Sequence, residues 1–237
     1  MRKALAIITA RGGSKRIPRK NVKLFLGHPI IKYSIDAAIR SECFDEIMVS
    51  TDDEEIANIA IECGASVPFT RSQKNADDHS TTADVLEEVL NKYTELGKTY
   101  DYACCIYPTA PFITAEKLKT AFEKLLETGA DSVIPVVRYS FPIQRSFKIE
   151  NGFARMNWPE FQNTRSQDLA PAYHDCGQFY FLKTNAFIKN KKLFTDLTVP
   201  VEMPESEVQD IDNEEDWKIA EIKYRLLIEK LQNLTHV

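Results

Sequence analysis

The 237-residue sequence has no Cys-x-x-Cys pair, and its five cysteines (Cys43, Cys63, Cys104, Cys105 and Cys176) are odd in number. A disulfide framework is therefore not expected, and the pattern reads as reduced, mostly buried thiols in the cytosol. No apolar run approaches the roughly 18 residues of a membrane helix, so no membrane partner is expected. The short apolar run near the start is not followed by a small-residue cleavage site, which predicts no secretory leader and a cytoplasmic location. Positive charge is not in excess either. Thirty basic residues face 35 acidic ones, a net charge of −5 that argues against binding nucleic acid through bulk charge. There is no internal repeat and no low-complexity linker. The two commonest nucleotide signatures, G-x-x-x-x-G-K-[ST] and G-x-G-x-x-G, are also absent.

What is present is an ordinary soluble composition, 43% apolar and 27% charged, long enough for one domain with a full core. The apolar run 4–10 suits a strand buried on both faces. Helical spacing follows over 28–40, with Pro29 suited to the first helical position. Strands are then predicted at 46–51, 102–107 and 131–137, and helices at 52–64, 83–96 and 115–129. Strands alternating with helices imply βαβ units: an α/β three-layer sandwich with a mostly parallel, Rossmann-like sheet. Ligands of such sheets sit beyond the carboxyl ends of the strands, which here means loops 10–27, 51–53, 68–82 and 107–114. After Val137 the rhythm breaks, and 138–178 carries no clear helix. Strand character resumes over 177–187, two strand-like runs fall in 196–212, and a last helix runs from about Asp216 to Leu231. That helix is expected to bury Trp217, Ala220, Tyr224, Leu227, Ile228 and Leu231.

One stretch stands out against the acidic whole. "ITARGGSKRIPRKN" (8–21) holds Arg11, Lys15, Arg16, Arg19 and Lys20 directly after the first strand, where a phosphate-binding loop belongs. Gly12 and Gly13 let backbone N–H groups approach phosphate oxygens, and Pro18 stiffens the loop. Arg11 and Lys15 supply charge to such oxygens.

The motif "ARGGSKRIPRKN" resembles the N-terminal signature of the cytidylyltransferases that activate nonulosonic (sialic-acid-like) sugars. "VSTDDEEIANIAIECGA", "PFTRSQKNADDHSTT", "YPTAPF", "FPIQRSF", "RSQDLAPAYHDCGQFYF" and "VQDIDNEEDW" follow in that family's order and cover nearly the whole chain. "FPIQR" and "AYHDCGQFY" look more like the pseudaminic acid enzymes than those for N-acetylneuraminate. Thr9 departs from the family's P-A-R, which alters loop stiffness and removes no charge. The resemblance implies the nucleotide-diphospho-sugar transferase type of sheet, and transfer of CMP from CTP to a sugar's anomeric hydroxyl with release of pyrophosphate. It also implies that Ala10, Arg11, Gly12, Gly13, Ser14, Lys15 and Asn21 hold the nucleotide. Arg11 and Lys15 would lie on the triphosphate and Lys20 near the transferring phosphate.

Such a transfer depends on positioning and charge stabilisation more than on covalent chemistry by the protein. Mg²⁺ is the expected cofactor, and one or two carboxylates suffice for it. Asp210 and Asp212 alternate in "QDIDNEEDW", so an extended segment would turn both to one side, and the resemblance makes them the metal ligands. Asn213 to Asp216 read as a helix cap. Arg71 and Ser80, with Thr81 close behind, match the family's cytosine pocket; the alternative for Arg71 is a surface ion pair with Asp77 or Asp78. The acid sugar is assigned Arg165 and Arg145, with Tyr107, Gln144, Tyr173, His174 and Gln178 as further contacts. No clear general base emerges, and a Mg²⁺-bound water, Asp175, Asp210 and Asp212 remain candidates. Relatives use the 138–178 region as a dimerisation arm, and Tyr139, Phe141, Phe147, Phe153 and Trp158 suit an interface, so a homodimer is expected. N-acetylneuraminate and legionaminate are rival acceptors. The octulosonate enzymes, with a shorter and differently spaced opening motif, fit less well. A nucleotide sensor without turnover is the reading from another class, and the Asp210/Asp212 pair argues against it.

Overall fold

The first apolar run forms β1 (Ala4–Thr9), the strand on which the molecule is built. Its alternation sends Ala6 and Ile8 into one core layer and Leu5 and Ile7 into the other. A computed structural model describes residues 2–77 and 79–235. After the basic loop comes a short ribbon, β2 (Leu24–Phe25) with β3 (His28–Pro29), turned by Leu26 and Gly27 at φ 45° and 93°. Two consecutive positive φ values are what a tight two-residue hairpin demands. The expected helix therefore starts two residues late. Pro29 pairs with Leu24 in extended conformation, and α1 runs Ile30–Ser41.

The alternation then proceeds as the sequence predicts, through β4 (Glu46–Ser50), α2 (Glu54–Glu62), α3 (Thr82–Glu95), β5 (Tyr102–Ile106), α4 (Ala115–Thr128) and β6 (Ser132–Arg138). The excursion holds a two-stranded ribbon, β7 (Phe147–Glu150) and β8 (Phe153–Met156), and then β9 (Tyr173–Asp175). β10 (Phe179–Lys183) ends sooner than expected, because Lys183 completes the pairing with Tyr102 and the chain turns into α5 (Thr184–Asn190). Only one strand forms over 196–212, β11 (Thr198–Glu202). Past it Pro204 offers no N–H to continue a ladder, and Val208 and Ile211 are buried without strand pairing. The last helix, α6 (Glu214–Thr235), buries Trp217, Ala220 and Leu227. Ile228 is 37% exposed rather than inside, and the Leu231 side chain lies outside the described residues.

The main sheet has the order β11-β6-β10-β5-β1-β4, with β9 pairing on β6. β1, β4, β5, β6 and β11 run one way, and β9 and β10 run the other. α1, α2 and α4 cover one face and α3 and α5 the other. Cys104 and Cys105 fall in opposite layers, and all five cysteines are free. A third core lies under α6, where Ile17 and Phe25 meet Ile211 and Trp217. No described helix is long and apolar enough to cross a membrane.

Candidate active site

The basic loop leaves β1 at the carboxyl edge of the sheet and is fixed from several sides. The Ala10 N–H donates to the Ser50 carbonyl at 3.0 Å, and the buried Asn21 side chain donates to the Arg11 carbonyl at 2.8 Å. Ile17 anchors the loop in the α6 core. The Gly12 N–H donates to Asp52 Oδ1 at 2.9 Å, and a Cβ there would sit 2.8 Å from Asp53 Oδ2. Glycine at position 12 is therefore a packing requirement, whereas a Cβ on Gly13 meets nothing within 4 Å. Arg19, at φ 56°, grips Asp53 and Glu55 at the start of α2. The Arg19 guanidinium holds the Asp53 carboxyl down at about 2, and Asp53 also caps α2 through the Ile56 N–H at 3.0 Å. Arg19 thus frames the loop.

The far end of the chain closes the site. Lys20 Nζ donates to the Ile211 carbonyl at 2.7 Å and lies 3.9 Å from Asp212 Oδ1. Burial lowers its pKa, opposed by the charges of Asp212 and Asp210. Arg16 pairs with Asp212 at 2.7 Å, and Lys23 pairs with Glu214 at 2.6 Å while its ammonium sits over the Trp217 ring. Burial and the neighbouring Asp212 charge raise the Asp210 carboxyl. Asn213 Oδ1 accepts from the Glu215 and Asp216 N–H groups, so the helix cap falls where the sequence puts it.

Arg71 is buried, only 5% exposed, and is no surface ion pair. Its Nε donates to Ser50 Oγ at 3.0 Å and its Nη2 to the Ser50 carbonyl. Burial lowers its pKa, countered by Asp52 and Glu88. Of its two alternative partners, Asp78 lies outside the described residues, and the Asp77 carbonyl accepts from Arg11 Nη1 at 2.8 Å. Ser80 Oγ donates to the Lys74 carbonyl at 2.8 Å, and Thr81 caps α3 in a reciprocal box with Asp84. Arg11, Ser14, Lys15, Lys20, Asn21, Arg71, Ser80 and Tyr107 line one cleft of about 640 Å³, with Thr9 beside them. Ala10, Gly12 and Gly13 belong to the same loop but are not among the residues that line the cleft.

A second cleft of about 580 Å³ adjoins the first across Tyr107, which borders both. It is bordered by Arg138, His174, Asp175, Tyr180, Asp210 and Lys223. Tyr107 Oη lies 3.1 Å from Thr82 Oγ1, its ring meets Tyr180 edge-on, and Tyr180 Oη donates to Asp175 Oδ2 at 2.6 Å. Burial raises both phenols. The remaining expected sugar contacts are not brought into this cleft within one chain. Gln144 donates to the Ala170 carbonyl, Arg145 to the Thr164 carbonyl, and Arg165 pairs with Asp168 at 2.7 Å. Tyr173 lies on β9, and the buried Gln178 donates to the Glu207 carbonyl at 2.9 Å.

The sequence did not single out Tyr180 and Arg138, which border the second cleft, or the buried Glu207. Tyr180 had a signal, a lone hydroxyl in "FYFL" that a buried strand must satisfy. Glu207, 7% exposed between Lys117 at 2.8 Å and Lys230 at 3.0 Å, had none, because its partners are 90 and 23 residues away (207 − 117 and 230 − 207).

The chain matches the cytidylyltransferase family model over residues 5–214. It is 40% identical to a pseudaminic acid cytidylyltransferase of Campylobacter jejuni subsp. jejuni serotype O:2, over 94% of this chain and 97% of that protein. It is 35% identical to the CMP-N,N'-diacetyllegionaminic acid synthase of Legionella pneumophila, over 92% of this chain and 94% of that protein. Among solved structures, a CMP:2-keto-3-deoxy-manno-octonic acid synthetase complexed with CTP shares the fold at a TM-score of 0.68 and 17% identity, covering 96% of this chain and 99% of that one.

Proposed function

The chain belongs to the cytidylyltransferase family, and from that membership we propose that it transfers CMP from CTP to the anomeric hydroxyl of pseudaminic acid, releasing pyrophosphate. The observation that carries the reading is the junction of two clefts across Tyr107. One gathers the cations Arg11, Lys15, Lys20 and Arg71, and the other is edged by Asp210. In the reaction the anomeric oxygen attacks the α-phosphorus, the bond to the bridging oxygen of the β-phosphate breaks, and the hydroxyl proton is lost to solvent or a nearby carboxylate.

Each residue type suits its task. Arg11 and Lys15 hold the triphosphate, and Lys20, at the seam with Ile211, faces charge developing at the transferring phosphate. Arg71, buried and oriented by Ser50, with Ser80 and Asn21, reads the pyrimidine. Asp210 and Asp212 fit Mg²⁺, since both offer hard oxygen donors, and burial together with the Asp212 charge raises the Asp210 carboxyl, a cost that a cation relieves. When bound, the ion neutralises phosphate charge.

The arm supports a homodimer. Phe141 is 84% exposed and Ile149 and Phe153 are each 70% exposed, an apolar surface that a second copy of the 138–178 region would cover. In that assembly Arg145 and Arg165 would serve the neighbouring subunit's acceptor cleft. Free cysteines suit a cytoplasmic enzyme. The test is pyrophosphate release from CTP and Mg²⁺ with pseudaminic, legionaminic and N-acetylneuraminic acids in parallel.

A further inference from the structure

The proposed acceptor is an acid, and its carboxylate must meet a cation when it leaves water. Within the chain, Arg145 and Arg165 are turned to Thr164 and Asp168, and neither borders the second cleft. Three basic side chains do border it. Lys223 Nζ is committed to the carbonyls of Val208 at 2.7 Å and Glu205 at 3.3 Å. His174 Nδ1 lies 3.0 Å from the Asp175 carbonyl, and its ring packs 4.7 Å from that of Tyr139.

Arg138 is different. It is the last residue of β6, and its backbone is fixed by pairing with Tyr173 of β9. Val136 and Val137 before it are buried. Its guanidinium makes no hydrogen bond or ion pair with any described residue. Arg138 is exposed, and a cation on a fixed strand end, bordering the cleft with its donors unused, is available to a planar anion. We propose that Arg138 binds the carboxylate of the acid sugar and so selects acidic acceptors. The assignment rests on the acceptor reading above and adds a residue that the sequence did not single out.

Steady-state pyrophosphate release at saturating CTP tests it on the full chain, with pseudaminic acid and its methyl ester as acceptors. Arg138→Gln is expected to raise KM for the acid about tenfold or more, with the CTP KM and melting temperature unchanged. Arg138→Lys, which keeps the charge without the fork, should recover part of the loss. Wild type and Arg138→Gln should use the methyl ester equally poorly. An acid KM within about twofold of wild type, or a tenfold rise in Arg165→Gln with none in Arg138→Gln, overturns the assignment. Absence of turnover by wild type with every nonulosonic acid overturns the acceptor reading instead, and this assignment falls with it.

Discussion

Lys20 Nζ donates to the Ile211 carbonyl at 2.7 Å, joining residues 191 apart in sequence. The cationic loop after the first strand and the segment carrying Asp210 and Asp212 are thereby one unit. Arg16 to Asp212 and Lys23 to Glu214 reinforce the seam. The loop's cations and the carboxylate of Asp212 meet there although they are far apart in sequence.

Replacing Lys20 with Met keeps the stem and removes the charge. The expected outcome is a fall in kcat of about 100-fold, the scale for losing one donor to developing charge. A circular dichroism melt would show the fold intact. A variant with near wild-type kcat would remove Lys20 from the transfer step.

The two glycines of the loop are predicted to differ. Gly12→Ala forces a Cβ to within 2.8 Å of Asp53, which Arg19 and the Ile56 N–H hold in place. Its melting temperature should fall and its KM for CTP rise. Gly13→Ala meets nothing within 4 Å and should melt like wild type. Equal melting temperatures for the two variants would contradict the packing argument.

The parts of the fold that were legible are those set by local pattern. β1, β4, β5 and the helices between them follow from apolar runs and spacing, and the first cleft is lined by the loops their order implies. Long-range competition set the rest. The antiparallel insertion of β10 between β5 and β6 depends on pairing across more than 40 residues, which no window of sequence contains. The Leu26–Gly27 turn overrode the helical spacing at Pro29. Residues of the loop and of "VQDID" were singled out from sequence motifs, whereas the buried Glu207, whose partners Lys117 and Lys230 lie far along the chain, was not.

Acid stability should report a carboxylate far from the site. Glu46 begins β4 at the opposite end of the sheet. Burial alone would raise its pKa, but hydrogen bonds from Tyr100, Tyr93, Lys98 and Ser66 outweigh this and hold it at about 2. The folded carboxylate thus binds its proton more weakly than the unfolded one. Its contribution is complete above the ordinary glutamate value of 4.5 and is lost as pH falls toward 2. Glu46→Gln should cost about 2–3 kcal/mol at pH 7 and flatten the loss of stability in that acid window. Activity per folded molecule should not change. Chemical denaturation at pH 7 and at pH 3 checks this, and an unchanged midpoint at pH 7 would contradict it.

The arm makes a prediction in solution. Light scattering after size exclusion at micromolar concentration should give the mass of two chains. Phe153→Asp, which puts a charge in place of an exposed aromatic ring of the ribbon, should shift it toward one. A wild-type monomer would remove the dimer and with it the route by which Arg145 and Arg165 reach an acceptor.

The central claim is tested most directly by following pyrophosphate release from purified protein with CTP, Mg²⁺ and pseudaminic acid, against N-acetylneuraminic acid. The account predicts release with pseudaminic acid at a kcat/KM well above that for N-acetylneuraminic acid. Release with N-acetylneuraminic acid alone would contradict the acceptor, and no release with any nonulosonic acid would contradict the reaction itself.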